Sequence, residues 1–238
     1  MEDVRVVILA GGKGTRLRPY TTVLPKPLVP IGETPILEVI LRQLKHHGFR
    51  RVTLSVNHLA HLIRSFFGDG SALGLDIEYC IETEPLGTAG SLSLVEGLTD
   101  PFLVMNGDLL TTLDYAEMVR FHRRSGNFAT IGAFPRDVAV DFGVLDLDAG
   151  GALVQYHEKP TLAFLVSMGV NVLSRDAAAF IEPHRHLDLP ALMMKLKDAG
   201  RVVGSYRSDC RWLDIGRVDD YEAAVELFER DRKHYLRD

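Results

Sequence analysis

"VRVVILAGGKGTRLRPYTTVLPKP", residues 4–27, joins a short apolar run to a loop carrying three glycines, two arginines and two lysines. Val4–Leu9 is β-branched and apolar on both faces, as in a strand buried within a parallel sheet. A strand running into a glycine-rich turn presents backbone N–H groups to phosphate, because glycine takes φ > 0 and lets an anion approach closely. Such a loop serves a dinucleotide, a triphosphate that stays whole, or a triphosphate that is cut. The P-loop spacing G-x-x-x-x-G-K-[ST] is absent. Gly12 and Gly14 begin a dinucleotide fingerprint, but Leu17 takes the third glycine position and Pro19 blocks a helix there. What distinguishes the loop is Lys13, Arg16, Arg18 and Lys26, the last held between Pro25 and Pro27. Arginine offers phosphate a planar donor fork and lysine a compact charge, while the flanking prolines reduce the entropy of holding Lys26 in place.

Outward from this loop, the pattern alternates. A helix is predicted over 35–47, a strand over 52–56, a helix over 58–67 and a strand over 76–81. A short helix over 87–95, a buried strand over 102–105 and a helix over 114–124 follow. Strands over 129–134, 143–147 and 153–157 then read as antiparallel, with "DAGG" (148–151) turning between the last two. Helices return over 189–199 and 218–232. The expected fold is α/β: a Rossmann-like, doubly wound, mostly parallel (mixed) sheet flanked by helices, with a small antiparallel subregion. No linker or repeat is visible, so 1–238 reads as one domain, about 1–125 forming one part and about 126–238 the other.

Composition narrows the function. The apolar fraction is 46%, and 25% of residues are charged, as in ordinary soluble domains. A net charge of −5 supplies no basic face for nucleic acid or an anionic membrane. No run reaches the ~20 apolar residues of a membrane span, and the acidic N-terminus does not resemble a signal peptide. Cys80 and Cys210 stand in no metal-ligand spacing, which suits a reducing cytoplasm.

The opening loop, with "EPLGTAG" (84–90), "NGD" (106–108), "FGV" (142–144), "EKP" (158–160), "GVNVL" (169–173) and "WLDIG" (212–216), resembles the signature of the sugar-phosphate nucleotidylyltransferases. These NDP-sugar pyrophosphorylases join a nucleoside triphosphate to a sugar 1-phosphate and release pyrophosphate. The resemblance covers nearly the whole chain in the family's order, and is strongest to mannose-1-phosphate and other sugar-1-phosphate guanylyltransferase-like members. It implies that 1–125 is the nucleotide-binding part and 126–238 the sugar-binding part.

The resemblance also implies roles. Arg16, Lys26, Asp108 and Asp214 would be catalytic, the two aspartates jointly holding Mg²⁺, a hard cation suited to carboxylates and phosphates. Leu9, Ala10, Gly11, Gly12, Gly14 and Thr15 would approach the nucleotide, as would Pro85, Gly87 and Thr88. Asn106, Gly143, Glu158 and Lys159 would meet the sugar phosphate; Glu158 and Lys159 can share a site only if the strand before Pro160 ends there. "IETEPLGTAG" (81–90) matches the base-reading stretch, where an ionised carboxylate accepts hydrogen bonds only. Guanine's pairing edge offers adjacent N–H donors, so GTP is favoured, with Glu82 or Glu84 as the reader.

Ser167 and Asn171, in "SMGVN", stand where many members carry an amide and an aromatic, so the sugar is open to amino or higher-carbon types. "DLD" (146–148) reads as a hairpin turn, and "HRH" (184–186) as surface histidines rather than a metal site. The alternatives are a uridylyl- or thymidylyltransferase of the same family, or a non-catalytic regulatory relative that binds nucleotide sugar. The expected partners are thus a nucleoside triphosphate and a sugar 1-phosphate, without nucleic acid or membrane; a homo-oligomer stays open. The chain ends soon after "WLDIG", so no appended acyltransferase domain is expected.

Overall fold

The structure is a computed structural model and describes residues 1–236. The chain runs β1 (Arg5–Leu9), β2 (Pro30–Ile31), β3 (Thr34–Pro35), α1 (Ile36–His46), β4 (Arg51–Val56), α2 (Ala60–Phe67) and β5 (Asp76–Ile81). There follow α3 (Gly87–Gly90), β6 (Phe102–Asn106), β7 (Leu109–Thr111), α4 (Tyr115–Ser125), β8 (Ala129–Ala139), β9 (Val144–Leu147) and β10 (Leu153–His157). The chain ends with β11 (Thr161–Leu173), α5 (Leu189–Asp198), β12 (Val203–Arg207), β13 (Trp212–Asp214) and α6 (Val218–Tyr235).

Seven strands form one sheet in the order β12-β8-β11-β6-β1-β4-β5. β11 runs antiparallel to both neighbours and the other pairings are parallel. This is the mixed, mostly parallel sheet expected. Side chains alternate across it, so each central strand feeds two cores. Val6 and Ile8 of β1 and Leu103 and Met105 of β6 pack beneath α1, α2, α4 and α6. Val7, Phe102 and Val104 pack on the other face with Leu189, Leu192, Met193 and Leu196 of α5. That two-sided burial is why "RVVIL" and "FLVM" are apolar without alternation.

From β1 the chain builds outward through β4 and β5, then returns to lay β6 on the other side of β1. The carboxyl ends of β1 and β6 therefore flank a topological switch point, where open α/β sheets hold ligands. The glycine loop follows β1 and "NGD" follows β6.

The second half departs from the sequence reading. β8 continues to Ala139 rather than ending at 134, and it pairs with β11 and β12. The hairpin β9–β10 is a separate two-stranded sheet. The thirteen-residue β11 was not predicted: its outer half, Thr161–Val166, forms a ribbon with the end of β8 and lacks the buried alternation that marks a strand. β7, β12 and β13 are likewise additional strands. The helix predicted over 87–95 is α only to Gly90 and continues as 3₁₀ to Leu94. Among the described residues no helix is long and apolar enough to cross a membrane.

One buried amide ties α6 and β7 to α1. Gln43 Nε2 donates to the carbonyls of Thr111 (2.8 Å) and Tyr235 (3.1 Å), while Oε1 accepts from the Tyr115 hydroxyl at 3.3 Å. Gln43→Ala strands these buried groups, each worth ~1–3 kcal/mol when left unsatisfied. Denaturant unfolding is expected to show a loss of about 2–4 kcal/mol.

Candidate active site

Two short strands bring the distant aspartates together. β13 pairs antiparallel with β7, Asp214 opposite Leu109, and the amide of Ile215 donates to the Asp108 carbonyl at 3.1 Å. Lys26 enters from the glycine loop on a 3₁₀ turn that Pro25 opens and Pro27 stiffens. Its side chain is buried, and Nζ donates to Asp108 Oδ2 at 2.5 Å. Asp108 Oδ1 is buried with no hydrogen-bond partner. Asp214 is exposed and opens onto two cavities, with protein packed against part of its carboxylate. That desolvation, and then the facing charge of Asp108, hold the Asp214 carboxyl above its ordinary pKa despite Lys26 and Arg16. An orphaned buried oxygen facing a second, destabilised carboxylate is the chemistry of an incomplete oxygen site for a cation. Among the described residues no group of three or more His, Cys, Asp or Glu side chains could hold a metal. A hard cation held by two carboxylates, with phosphate oxygens completing its shell, fits these donors.

At the switch point lies a cavity of about 490 Å³. Leu9, Gly11, Gly12, Glu82, Pro85, Gly87 and Thr88 line it, together with Asn106, expected at the sugar, and Asp108, expected at the metal. Lys13, Asn57 and Ser91 also line it. Asn57 follows β4 as Asn106 ends β6, and that position at a strand's carboxyl end was the available signal. Ala10 sits behind the wall, its amide donating to the Ser55 carbonyl at 2.7 Å. Gly14, at φ 59°, caps the 3₁₀ turn Thr15–Leu17 and packs against Thr21 and Lys26. It is the loop glycine that needs a left-handed backbone; Gly11 and Gly12 serve close approach instead.

Glu82 rather than Glu84 faces this cavity. Ser55 Oγ donates to its Oε1 at 2.8 Å and the Leu86 amide to its Oε2 at 3.3 Å. Each oxygen keeps accepting capacity for a ligand, since a carboxylate has about four lone-pair sites.

A second cavity of about 610 Å³ shares Thr88 and Asn106 with the first. Ser167, Asn171 and Asp214 line it beside an apolar wall of Leu189, Pro190, Met193, Met194 and Trp212. The register of β11 shifts between Ser167 and Asn171, a bulge that turns on Gly169 at φ 72°. The Trp212 indole N–H fixes this bulge by donating to the Met168 carbonyl at 3.0 Å.

Backbone bonds clip the two cavities together. The Ala89 and Gly90 amides donate to the Leu187 carbonyl at 2.8 and 2.9 Å, and the Leu187 amide donates to the Leu86 carbonyl at 2.8 Å. The Thr88 amide donates to Asp188 Oδ1 at 3.1 Å. Thus "HRH" adjoins the segment that lies on the site.

Gly143, Glu158 and Lys159 flank the β9–β10 hairpin and line neither cavity. A Cβ on Gly143 would collide with the Tyr156 ring. β10 does end before Glu158, and Lys159 takes φ 41°. Asp146 and Leu147 of "DLD" end β9, and Asp148 opens the turn, its Oδ1 accepting from the Gly150 and Ala152 amides.

Residues 5–231 match the nucleotidyl transferase family. The chain is 34% identical, over 93% of its length, to a UTP–glucose-1-phosphate uridylyltransferase of Synechocystis. It is also 34% identical, over 92%, to the mannose-1-phosphate guanylyltransferase of Mycobacterium tuberculosis. It spans only 62% and 63% of those two curated relatives. Among solved structures, HddC of Yersinia pseudotuberculosis complexed with GMP-PN is similar, with a TM-score of 0.73 and 27% identity. That match covers 94% of this chain and 99% of HddC.

Two glycines separate fold from site. A methyl at Gly12 meets no atom within 4 Å, so Gly12→Ala should unfold like the wild type while intruding on the first cavity. Gly87 has φ 77°, and its methyl would lie 2.6 Å from the Leu187 carbonyl oxygen. Gly87→Ala should therefore lose about 1–3 kcal/mol in denaturant unfolding.

Proposed function

The chain belongs to the nucleotidyl transferase family, and from that premise we propose that it is a sugar-1-phosphate nucleotidylyltransferase. One observation carries this reading: Lys26, Asp108 and Asp214 converge where a cavity fit for a nucleoside adjoins a second that shares its Thr88 and Asn106. A nucleotide in the first cavity and a sugar phosphate in the second would meet at that trio.

The reaction is an in-line displacement. An oxygen of the sugar 1-phosphate attacks the α-phosphorus, and the bond to pyrophosphate breaks. The attacking phosphate oxygen is already anionic, so no general base is needed, and positioning with charge neutralisation supplies most of the catalysis. Lys26, fixed by Asp108 and the two prolines, is preorganised beside the α-phosphoryl group. Gly11 and Gly12 let the triphosphate lie against the backbone, and Arg16 faces the departing β,γ-phosphates. Asp108 and Asp214 would hold Mg²⁺, which neutralises phosphate charge when bound. On the family's pattern Gly143, Glu158 and Lys159 would meet the sugar and its phosphate, although here they flank the β9–β10 hairpin and line neither cavity.

Guanine is the favoured base. Glu82 faces the cavity as an acceptor, which matches guanine's adjacent donors and not the alternating edge of uracil. A uridylyl reading has its own support in the Synechocystis relative.

Pyrophosphate release with each NTP, Mg²⁺ and a panel of sugar 1-phosphates should be fastest with GTP; no release across the panel would end the enzyme reading. Lys26→Ala and Asp108→Ala should each lower kcat by ~10²-fold or more, the scale of one lost transition-state contact. Near-wild-type kcat in either would show its role misassigned. Glu82→Gln should lower kcat/KM for GTP relative to UTP by about tenfold or more, because the site's acceptor pair is broken. An unchanged ratio would remove Glu82 as the base reader.

A further inference from the structure

Residues 135–166 leave the large sheet and return to it as one arm. It comprises the outer half of β8, the hairpin β9–β10 and the outer half of β11. β12 pairs with β8 only over 129–133 and β6 with β11 only over 170–173, so beyond them the two long strands have only each other. No residue of the arm is buried, and none belongs to either core. Yet ten of the seventeen large apolar side chains exposed among the described residues lie in it. Ordering a residue costs ~1–2 kcal/mol of backbone entropy, and burial of apolar surface is what offsets it. A two-stranded hairpin with no third strand or helix against it is marginal in water. Its own chain does not supply the surface that would hold the arm.

The apolar side chains are sorted by face. Leu147 stands opposite Leu153 and Leu145 opposite Tyr156, so these four share one face of the hairpin. Each is between 51% and 60% exposed. The other face is polar: Asp146 opposes Gln155 and bonds His157 at 3.0 Å. On the ribbon Val138 opposes Leu162, and Phe164 lies two residues further along the same face. Phe142, between ribbon and hairpin, is also exposed. Half-exposed side chains of this size leave ~100 Å² each, so these eight present roughly 800 Å² of apolar surface. The largest patch of a typical monomer is ~300–600 Å². A stable dimer buries about 800 Å² on each partner, which the arm alone can supply.

Charge selects the occupant. The arm carries five acidic residues against two basic ones, which disfavours a lipid surface, where lysine and arginine are needed. The chain has a net charge of −5, so two copies repel except where the meeting faces carry no charge. The apolar face of the hairpin is such a face. Being apolar throughout, it is also complementary to itself, as association about a two-fold axis requires. We propose that the arm is a dimerisation surface, through which two copies of this chain associate with Leu145, Leu147, Leu153 and Tyr156 at the centre of the interface. Gly143, Glu158 and Lys159 flank the same hairpin, so pairing would also fix the segment that carries them. The association itself does not depend on which reaction the chain performs.

Sedimentation of the full chain at rising concentration tests this. The wild type should reach twice the mass of one chain and hold there, with a dissociation constant of about 10 µM or lower, within the range of interfaces this size. A single-chain mass across the range, or a mass that rises without a plateau, would overturn the proposal. Leu145→Asp/Leu147→Asp places two charges on the apolar face and should raise the dissociation constant about a hundredfold or more. Gln155→Asp adds a charge to the opposite face and should leave it within about threefold. Equal loss in both variants, or none in the first, would remove this face from the interface. All three side chains are exposed, so each variant should unfold in dilute solution at the wild-type midpoint. Hydrogen exchange reads the wild type directly: the amides of β9 and β10 should slow about tenfold or more between dilute and concentrated protein. Exchange independent of concentration would overturn the proposal even where the mass is that of a dimer, because the arm would then lie outside the contact.

Discussion

The site depends on the three-residue ladder between β7 and β13. Without that pairing, Asp108 would be a loop residue after one strand and Asp214 a loop residue before the last helix. The ladder brings two carboxylates of like charge together, Asp108 half-buried and Asp214 on the cavity surface, an arrangement that opposes folding. The rise in the Asp214 pKa is the signature of that opposition. Lys26 offsets part of it through its pair with Asp108. Removing one partner of a well-buried pair generally costs ~3–5 kcal/mol, because the survivor keeps its desolvation penalty. Here Asp108 is partly open to solvent, so the cost to folding is smaller. What stays unmet is Asp108 Oδ1, buried without a hydrogen-bond partner although Lys26 holds the other oxygen of the same carboxylate.

The surrounding fold keeps that tension from moving the backbone. Gln43 saturates its hydrogen bonds with β7, α6 and Tyr115, so the strand that follows Asp108 is tied to the largest core. On the opposite face of the sheet, the clip between residues 86–90 and 187–188 does the same for the wall shared by the two cavities. Gly87 and Gly90 are needed there because a Cβ at either would lie 2.6 Å from a backbone carbonyl oxygen. The spacing of "GTAG" in the sequence is therefore a packing constraint as well as a feature of the first cavity.

The first half of the chain was legible because burial and chemistry follow one pattern there. "RVVILAGGKG" and "FLVMNGD" each place a doubly buried strand before the residues that reach the switch point. The second half was less legible for a physical reason. The ribbon made by the ends of β8 and β11 is exposed, with Leu162, Phe164 and Leu165 at 42%, 50% and 54% relative accessibility, so alternation gives no signal. β7 and β13 are too short to register as periodic, yet they bring the aspartates together. Ser167 and Asn171 were legible as residues but not as a bulge, since the register shift is set by pairing with β8 rather than by local preference. Glu82 and Glu84 were indistinguishable until the structure showed which one faces the cavity.

What the sequence could not supply was the partition of space. Trp212 and Asp214 are neighbours in one motif, and each lines two cavities. Their strand thus borders both an apolar chamber and a chamber lined by Arg16, Arg136 and Arg217. Trp212 is held in that role from both sides. Its N–H is bound to the β11 bulge, and its ring packs on Phe134 with centroids 5.5 Å apart. Phe134 lies two residues before Arg136 on β8, so both side chains project from the same face of the strand. The residue that supports the wall and the residue that charges the outer chamber are therefore set by one strand register, and the two chambers cannot be positioned independently.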